Sequence, residues 1–128
     1  MTGDTFNMSG DFRGANINIK STLTRVSQRV VNLPQTDQTA KDELQALLVQ
    51  LNETLQQAPP DKAEEAEAVA KSAEQLVATA SEEKPNKTLI QITGEGLKQA
   101  AQTLAKVMPT ALTTATQIVT LISKLHGM

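Results

Sequence analysis

The stretch Ala40-Lys41-Asp42-Glu43-Leu44-Gln45-Ala46-Leu47-Leu48-Val49-Gln50-Leu51-Asn52-Glu53-Thr54-Leu55 decides the fold class. Ala40, Leu44, Leu47, Leu48, Leu51 and Leu55 recur at three- and four-residue steps, the spacing that lines one face of an α-helix. Thr36 or Asp37 is placed to open this helix. On its C-terminal side Pro59 and Pro60 break the chain, and Asp61 is placed to cap a third helix over about 62–83. That helix has a narrow, alanine-rich apolar face of Ala63, Ala66, Val69, Ala70, Ala73, Leu76, Val77 and Ala80. Short connections between such elements predict antiparallel neighbours, and hence a helical bundle.

The same logic extends to both ends. Ser21 is placed to cap a first helix that carries Leu23, Val26, Val30 and Leu33 and stops at Pro34. After Lys84-Pro85, Asn86 is a candidate cap for a fourth helix containing Leu89, Ile90, Leu97, Ala101, Leu104 and Met108. Gly94 and Gly96 weaken it, so a kink or a short strand over 88–93 is an open alternative. A fifth helix, about 110–125, follows Pro109 with Leu112, Ala115, Ile118, Val119, Leu121, Ile122 and Leu125, and Gly127 is a terminating residue.

Residues 1–20 read differently. Phe6 and Met8 alternate with Asn7 and Ser9, and Ile17 and Ile19 alternate with Asn16, Asn18 and Lys20, around a glycine-flanked turn at 10–14. Alternation of this kind is the period-two signature of strands and predicts a β-hairpin over about 4–20. The expected fold is therefore mainly α, a four- or five-helix antiparallel bundle with an N-terminal β-hairpin. The hairpin would occupy 1–20 and the bundle 21–128, in one domain overall.

Composition narrows the function. Phe6 and Phe12 are the only aromatic residues, which is poor equipment for stacking on sugars, bases or quaternary ammonium groups. There is no cysteine, so disulfides, thiolate nucleophiles and cysteine-held metals are excluded. With no secretory pattern in the first residues and no long apolar run, a cytoplasmic setting is expected. The sequons at Asn7, Asn52 and Asn86 then read as chance matches.

Net charge is −2, but it is unevenly spread. Residues 34–85 hold eleven acidic and four basic side chains, whereas both flanking segments are net basic. Acidic and basic surfaces are thus expected to be solvated faces, or to meet within the bundle or between copies.

No motif for chemistry survives inspection. Ile90-Gln91-Ile92-Thr93-Gly94-Glu95-Gly96 has two glycines of a dinucleotide turn, but Gln99 stands where the third small residue belongs, and no strand–helix alternation surrounds it. The two glycines read instead as a place where another helix or the hairpin comes close. His126 is the only histidine, too little for a triad or a histidine-held metal. Glu64, Glu65, Glu67, Glu82 and Glu83 lack both the cleft of catalytic carboxylates and the ligand spacing of a calcium loop. Arg13, Lys20, Arg25 and Arg29 form a basic cluster without interleaved aromatics, a weak pattern for nucleic acid. No catalytic, metal-ligating or cofactor-binding residue is assigned, and no enzyme activity is expected. Residues 107–123 carry no charge between Lys106 and Lys124. They read as a helix buried by its neighbours, with conditional release into a bilayer as the alternative.

The run Gly10-Asp11-Phe12-Arg13-Gly14 followed by Ala15-Asn16-Ile17-Asn18-Ile19 resembles two units of a pentapeptide repeat, with Phe12 and Ile17 in the central inward position. That resemblance implies local β geometry over ten residues. More broadly, the Gly3-Asp4 start, the Ser9–Ala15 core and the helical remainder resemble small modules that accompany effector or NTPase domains in multidomain bacterial, often cyanobacterial, proteins. This resemblance implies a non-enzymatic module in bacterial cytoplasm that passes on assembly or regulatory signals.

The expected function is protein–protein interaction or oligomerisation, by self-association or with a neighbouring effector domain. Phe6, Met8, Phe12, Ile17 and Ile19 are the expected contacts on the hairpin. Arg13, Arg25 and Arg29 are expected to face acidic residues such as Glu64, Glu65 and Glu67 of a neighbour. A membrane-active, pore-forming effector that releases 107–123 is the competing expectation.

Overall fold

A computed structural model describes residues 7–33, 38–82 and 84–127, and of residues 7–15 the backbone alone. Among these residues there are five α-helices and no strand. They are α1 (Asn7–Val31), α2 (Gln38–Gln56), α3 (Ala63–Ala80), α4 (Lys87–Gln102) and α5 (Pro109–Leu125), with one 3₁₀ turn at Pro60–Lys62.

The expected hairpin over 4–20 is not found. From Asn7 onward the chain is helical, and α1 runs unbroken through positions 20 and 21. The short strand considered over 88–93 is likewise helix, part of α4. Phe6 and the first residues lie outside the described part. Two isoleucines two residues apart fit a strand, but Ile19 also begins the helical series Ile19, Leu23, Val26, Val30, Leu33. All five of these side chains are buried. A lone hairpin would cover almost no apolar surface, whereas a helix carries Ile19 into the core at the cost of leaving Ile17 outside, 64% exposed. The local β geometry suggested by the pentapeptide-like units falls with the hairpin.

Other boundaries follow from local chemistry. The Asn86 side chain caps α4, its Oδ1 accepting a hydrogen bond from the Leu89 N–H at 3.1 Å. α3 begins without a side-chain cap, because Lys62, not Asp61, stands at its N-cap position after the 3₁₀ turn. α4 ends at Gln102, earlier than its leucine spacing suggests. Residues 103–107 form tight turns that lead to Pro109, which opens α5 as its first residue. Gly127 ends the described chain with φ 70°, a left-handed conformation suited to glycine.

α1 packs on α2 and α3, α3 on α4, α4 on α5, and α5 returns to α2, closing a ring around the core; α3 also reaches α5 across the middle. Hydrogen bonds set the α1–α2 register. Gln56 Nε2 donates to the Asn16 carbonyl at 2.9 Å, Gln45 Nε2 to Ser27 at 3.4 Å, and Lys41 Nζ to Leu33 at 2.8 Å. One position climbs as the other falls, so the two helices are antiparallel. Since Gln56 is the last residue of α2, residues 7–15 carry α1 past that end by about 13 Å of helix.

The core holds Leu44, Leu48, Leu51 and Leu55 of α2, the alanine-rich face of α3, and Ile90, Leu97, Ile118 and Ile122. Small residues let the helices approach. A Cβ built on Gly94 would lie 3.0 Å from Val119 Cγ1, so this glycine lets α4 sit against α5, as its place in the sequence suggests; Gly96 faces open space.

Among the described residues, one buried side-chain polar atom is left without a partner. Thr114 is fully buried on α5, and its Oγ1 makes no hydrogen bond, whereas the Thr113 hydroxyl donates to the Pro109 carbonyl at 3.3 Å. Thr114→Val keeps the shape and removes the unpaired hydroxyl. It should stabilise the fold by about 1 kcal/mol, read as a raised midpoint in urea unfolding with an unchanged slope.

Candidate protein-binding face

α2 and α5 turn their leucine and isoleucine stripes inward and pack side by side. Between them lies an open groove of about 510 Å³, lined by Glu43, Ala46, Leu47 and Gln50 of α2 and by Thr116, Gln117, Thr120, Leu121 and Lys124 of α5. Ala46, Leu47 and Leu121 supply its apolar surface. Leu47 and Leu121 are half-buried and pack on the core from its edge.

The outer side of α5 is unusual for a surface helix. Thr113, Thr116, Gln117 and Thr120 are all exposed and none carries charge. Positions 113, 117, 120 and 124 follow one another at helical spacing, and only the last, Lys124, is ionised. Exposed helix positions that touch nothing usually hold strong helix formers, and threonine is a weak one. Depletion of charge over a partly apolar surface is a property of interface centres.

The residues expected from the sequence to make contacts lie elsewhere. Phe6 is outside the described residues. Met8, Phe12 and Arg13 fall on α1, but their side chains lie outside the described part as well. Ile17 is exposed and Ile19 is 1% exposed, committed to the core and closed to a partner. Arg25 reaches Glu74 of its own chain, Nη2 to Oε2 at 3.3 Å, rather than Glu64, Glu65 or Glu67. Glu65 faces Lys62 at 3.8 Å, Glu64 is exposed, Glu67 is half-buried, and Arg29 is exposed in the last turn of α1. These are the two ion pairs among the described residues: Arg25–Glu74 joins the basic first segment to the acidic middle, whereas Lys62–Glu65 is local to the start of α3. Each is partly open to solvent and adds little stability.

The groove residues Glu43, Ala46, Gln50, Thr116, Thr120 and Lys124 are not singled out by sequence reading. Their signal is present in the uncharged stretch 107–123, whose composition suggests a buried or membrane-seeking helix. Met108 and Pro109 divide that stretch between a turn and α5, and α5 buries one side only, through Ala111, Thr114, Ala115, Ile118 and Ile122. No helix among the described residues is long and apolar enough to cross a membrane.

His126 caps the C-terminal end of α5. Burial, and then the positive charge of Lys87 at the start of α4, lower its pKa below the usual 6.5. In the unfolded chain the imidazole regains its ordinary pKa, so between the two values the unfolded state binds more protons and stability rises with pH. The contribution is whole above about 6.5 and is lost as pH falls through the lowered value. Thermal melts across this range should show a small rise with pH that His126→Gln removes.

No group of three or more His, Cys, Asp or Glu able to hold a metal ion occurs among the described residues. Compared with known proteins, the chain matches no family model, no curated protein and no solved structure.

Proposed function

We propose that this chain is a non-catalytic protein-interaction and oligomerisation module, with an assembly or regulatory role, and that the α2/α5 face is its docking surface. The observation that carries this reading is the uncharged exposed stripe of α5 beside the apolar groove floor of Ala46, Leu47 and Leu121. A bundle with no further contact to make gains solubility from charge on each outer face. α2 and α3 follow that rule on their exposed sides, with Asp42, Glu43 and Glu53 on one and Glu64 and Lys71 on the other, whereas α5 departs from it over most of its length. Strand addition at the N-terminus plays no part in this reading, because the described residues there are helical.

Sedimentation velocity over a wide concentration range tests the reading. The expected result is reversible association, with a melting temperature that rises with protein concentration. A chain that stays monomeric throughout, with a concentration-independent melt, would overturn it.

A further inference from the structure

The lining of the α2/α5 groove contains two charged residues, Glu43 on α2 and Lys124 on α5. Gln56 beside Asn16 and Arg25 beside Glu74 make α3 run with α1 and against α2, the short link 81–86 turns α4 back against α3, and Gly94 on Val119 with Lys87 near His126 sets α5 against α4. α2 and α5 are therefore antiparallel, so the N-terminal part of the α2 lining lies beside the C-terminal part of the α5 lining. Both charges therefore sit at one end of the groove, on opposite walls. The ion pairs among the described residues are Arg25–Glu74 and Lys62–Glu65, and neither involves Glu43 or Lys124. Toward the other end, Gln50 stands opposite Thr116 and Gln117, with no charge.

Resting on the interaction role proposed above, we infer that the occupant of this face is a second copy of the chain, docked face to face about a two-fold axis that runs along the groove. Rotation about that axis lays α2 of one copy over α5 of the other and keeps each end at its own level. Glu43 then meets Lys124 of the partner subunit, and Lys124 meets Glu43 of the partner subunit, giving two equivalent ion pairs at one end. The uncharged walls face each other along the rest, and the apolar surface of Ala46, Leu47 and Leu121 is covered twice over.

A two-fold axis across the groove is the other symmetric way to join the same faces. It would lay α2 on α2 with ends reversed, bringing Glu43 toward the level of Gln50 and the exposed Glu53 of the partner subunit, and leaving Lys124 against threonine. The charge layout thus selects the axis along the groove. Self-complementarity of this kind is what an isologous interface requires of a single patch. Other occupants fit less well: one acid facing one base presents no net charge to an anionic ligand or nucleic acid. A face two helices wide and about 25 Å long falls toward the small end of specific interfaces, which predicts a reversible dimer.

Charge reversal tests this on the full chain. Glu43 is exposed and so is Lys124, so E43K and K124E should fold, which circular dichroism at low concentration verifies. In sedimentation at low salt, each variant alone should dimerise at least about tenfold more weakly than the parent, because like charges now meet twice. An equimolar mixture of the two variants should recover association. In the mixed dimer the introduced lysine of one chain meets the introduced glutamate of the other, while the unchanged Lys124 of the first meets the unchanged Glu43 of the second. Dimers that persist equally in both variants, or a mixture no tighter than its components, would overturn this interface while leaving oligomerisation itself in place. A parent chain that never dimerises would overturn both readings.

Discussion

Leu76→Ala should lower the unfolding free energy by about 3 kcal/mol, the middle of the range for a buried leucine whose site cannot collapse. Leu76 is fully buried on α3, whose core face otherwise consists of Ala66, Val69, Ala70, Ala73, Val77 and Ala80. α3 packs on both α1 and α4, so the helix on which most of the ring leans fills its central space with a single large side chain. Its small neighbours already hold the backbones close, and they cannot move in to fill the void. Urea unfolding gives the number directly. A loss below about 1 kcal/mol would show that Leu76 is not packed as described.

Gly94→Val should destabilise the protein by about 2 kcal/mol, the effect of overpacking a tight contact. The Cβ alone would sit 3.0 Å from Val119 Cγ1, and valine adds two methyl groups to that crowding. Both side chains are β-branched, and neither can swing aside easily. Gly96, two positions on, provides the control. An alanine there meets nothing within 4 Å, so Gly96→Ala should stabilise by up to about 1 kcal/mol through helix propensity alone. The mechanism is separable by pairing Gly94→Val with Val119→Ala. If the contact is the cause, the double variant should be less destabilised than the sum of the two single changes, because the removed methyls make room. Simple additivity would place the effect elsewhere.

Much of this architecture is legible in the residue order. The stripe Leu44, Leu48, Leu51, Leu55, the prolines at 59, 60 and 109, and the cap at Asn86 lie where the helices and their breaks are found. Such signals are local: a proline or a capping side chain acts on residues within one turn of itself. The N-terminus misleads because Ile19 satisfies both periods, two residues from Ile17 and four from Leu23, and the short window between Gly14 and Ser21 holds too few apolar residues to choose. Ile19 looks like part of a contact surface for the same reason, although it belongs to the seam that continues to Leu33. Charge is harder still. The sequence sets Arg25 against Glu64, Glu65 or Glu67 of another chain, yet Glu74 of its own chain lies within reach, 49 positions away in sequence.

The amino-acid order by itself determined that the described chain is helical and, to within a few residues, where α2, α3 and α5 start and stop and where α4 starts, because periodicity, caps and proline act over a few residues. The tertiary structure alone decided that α1 reaches back to Asn7, that Gly94 admits Val119, and that α5 joins α2 with a groove between them. Closing the ring of helices buries whichever faces meet, and the outer surface that remains depends on pairings between residues far apart in the chain. Glu43 and Lys124 become neighbours on one face only through that closure.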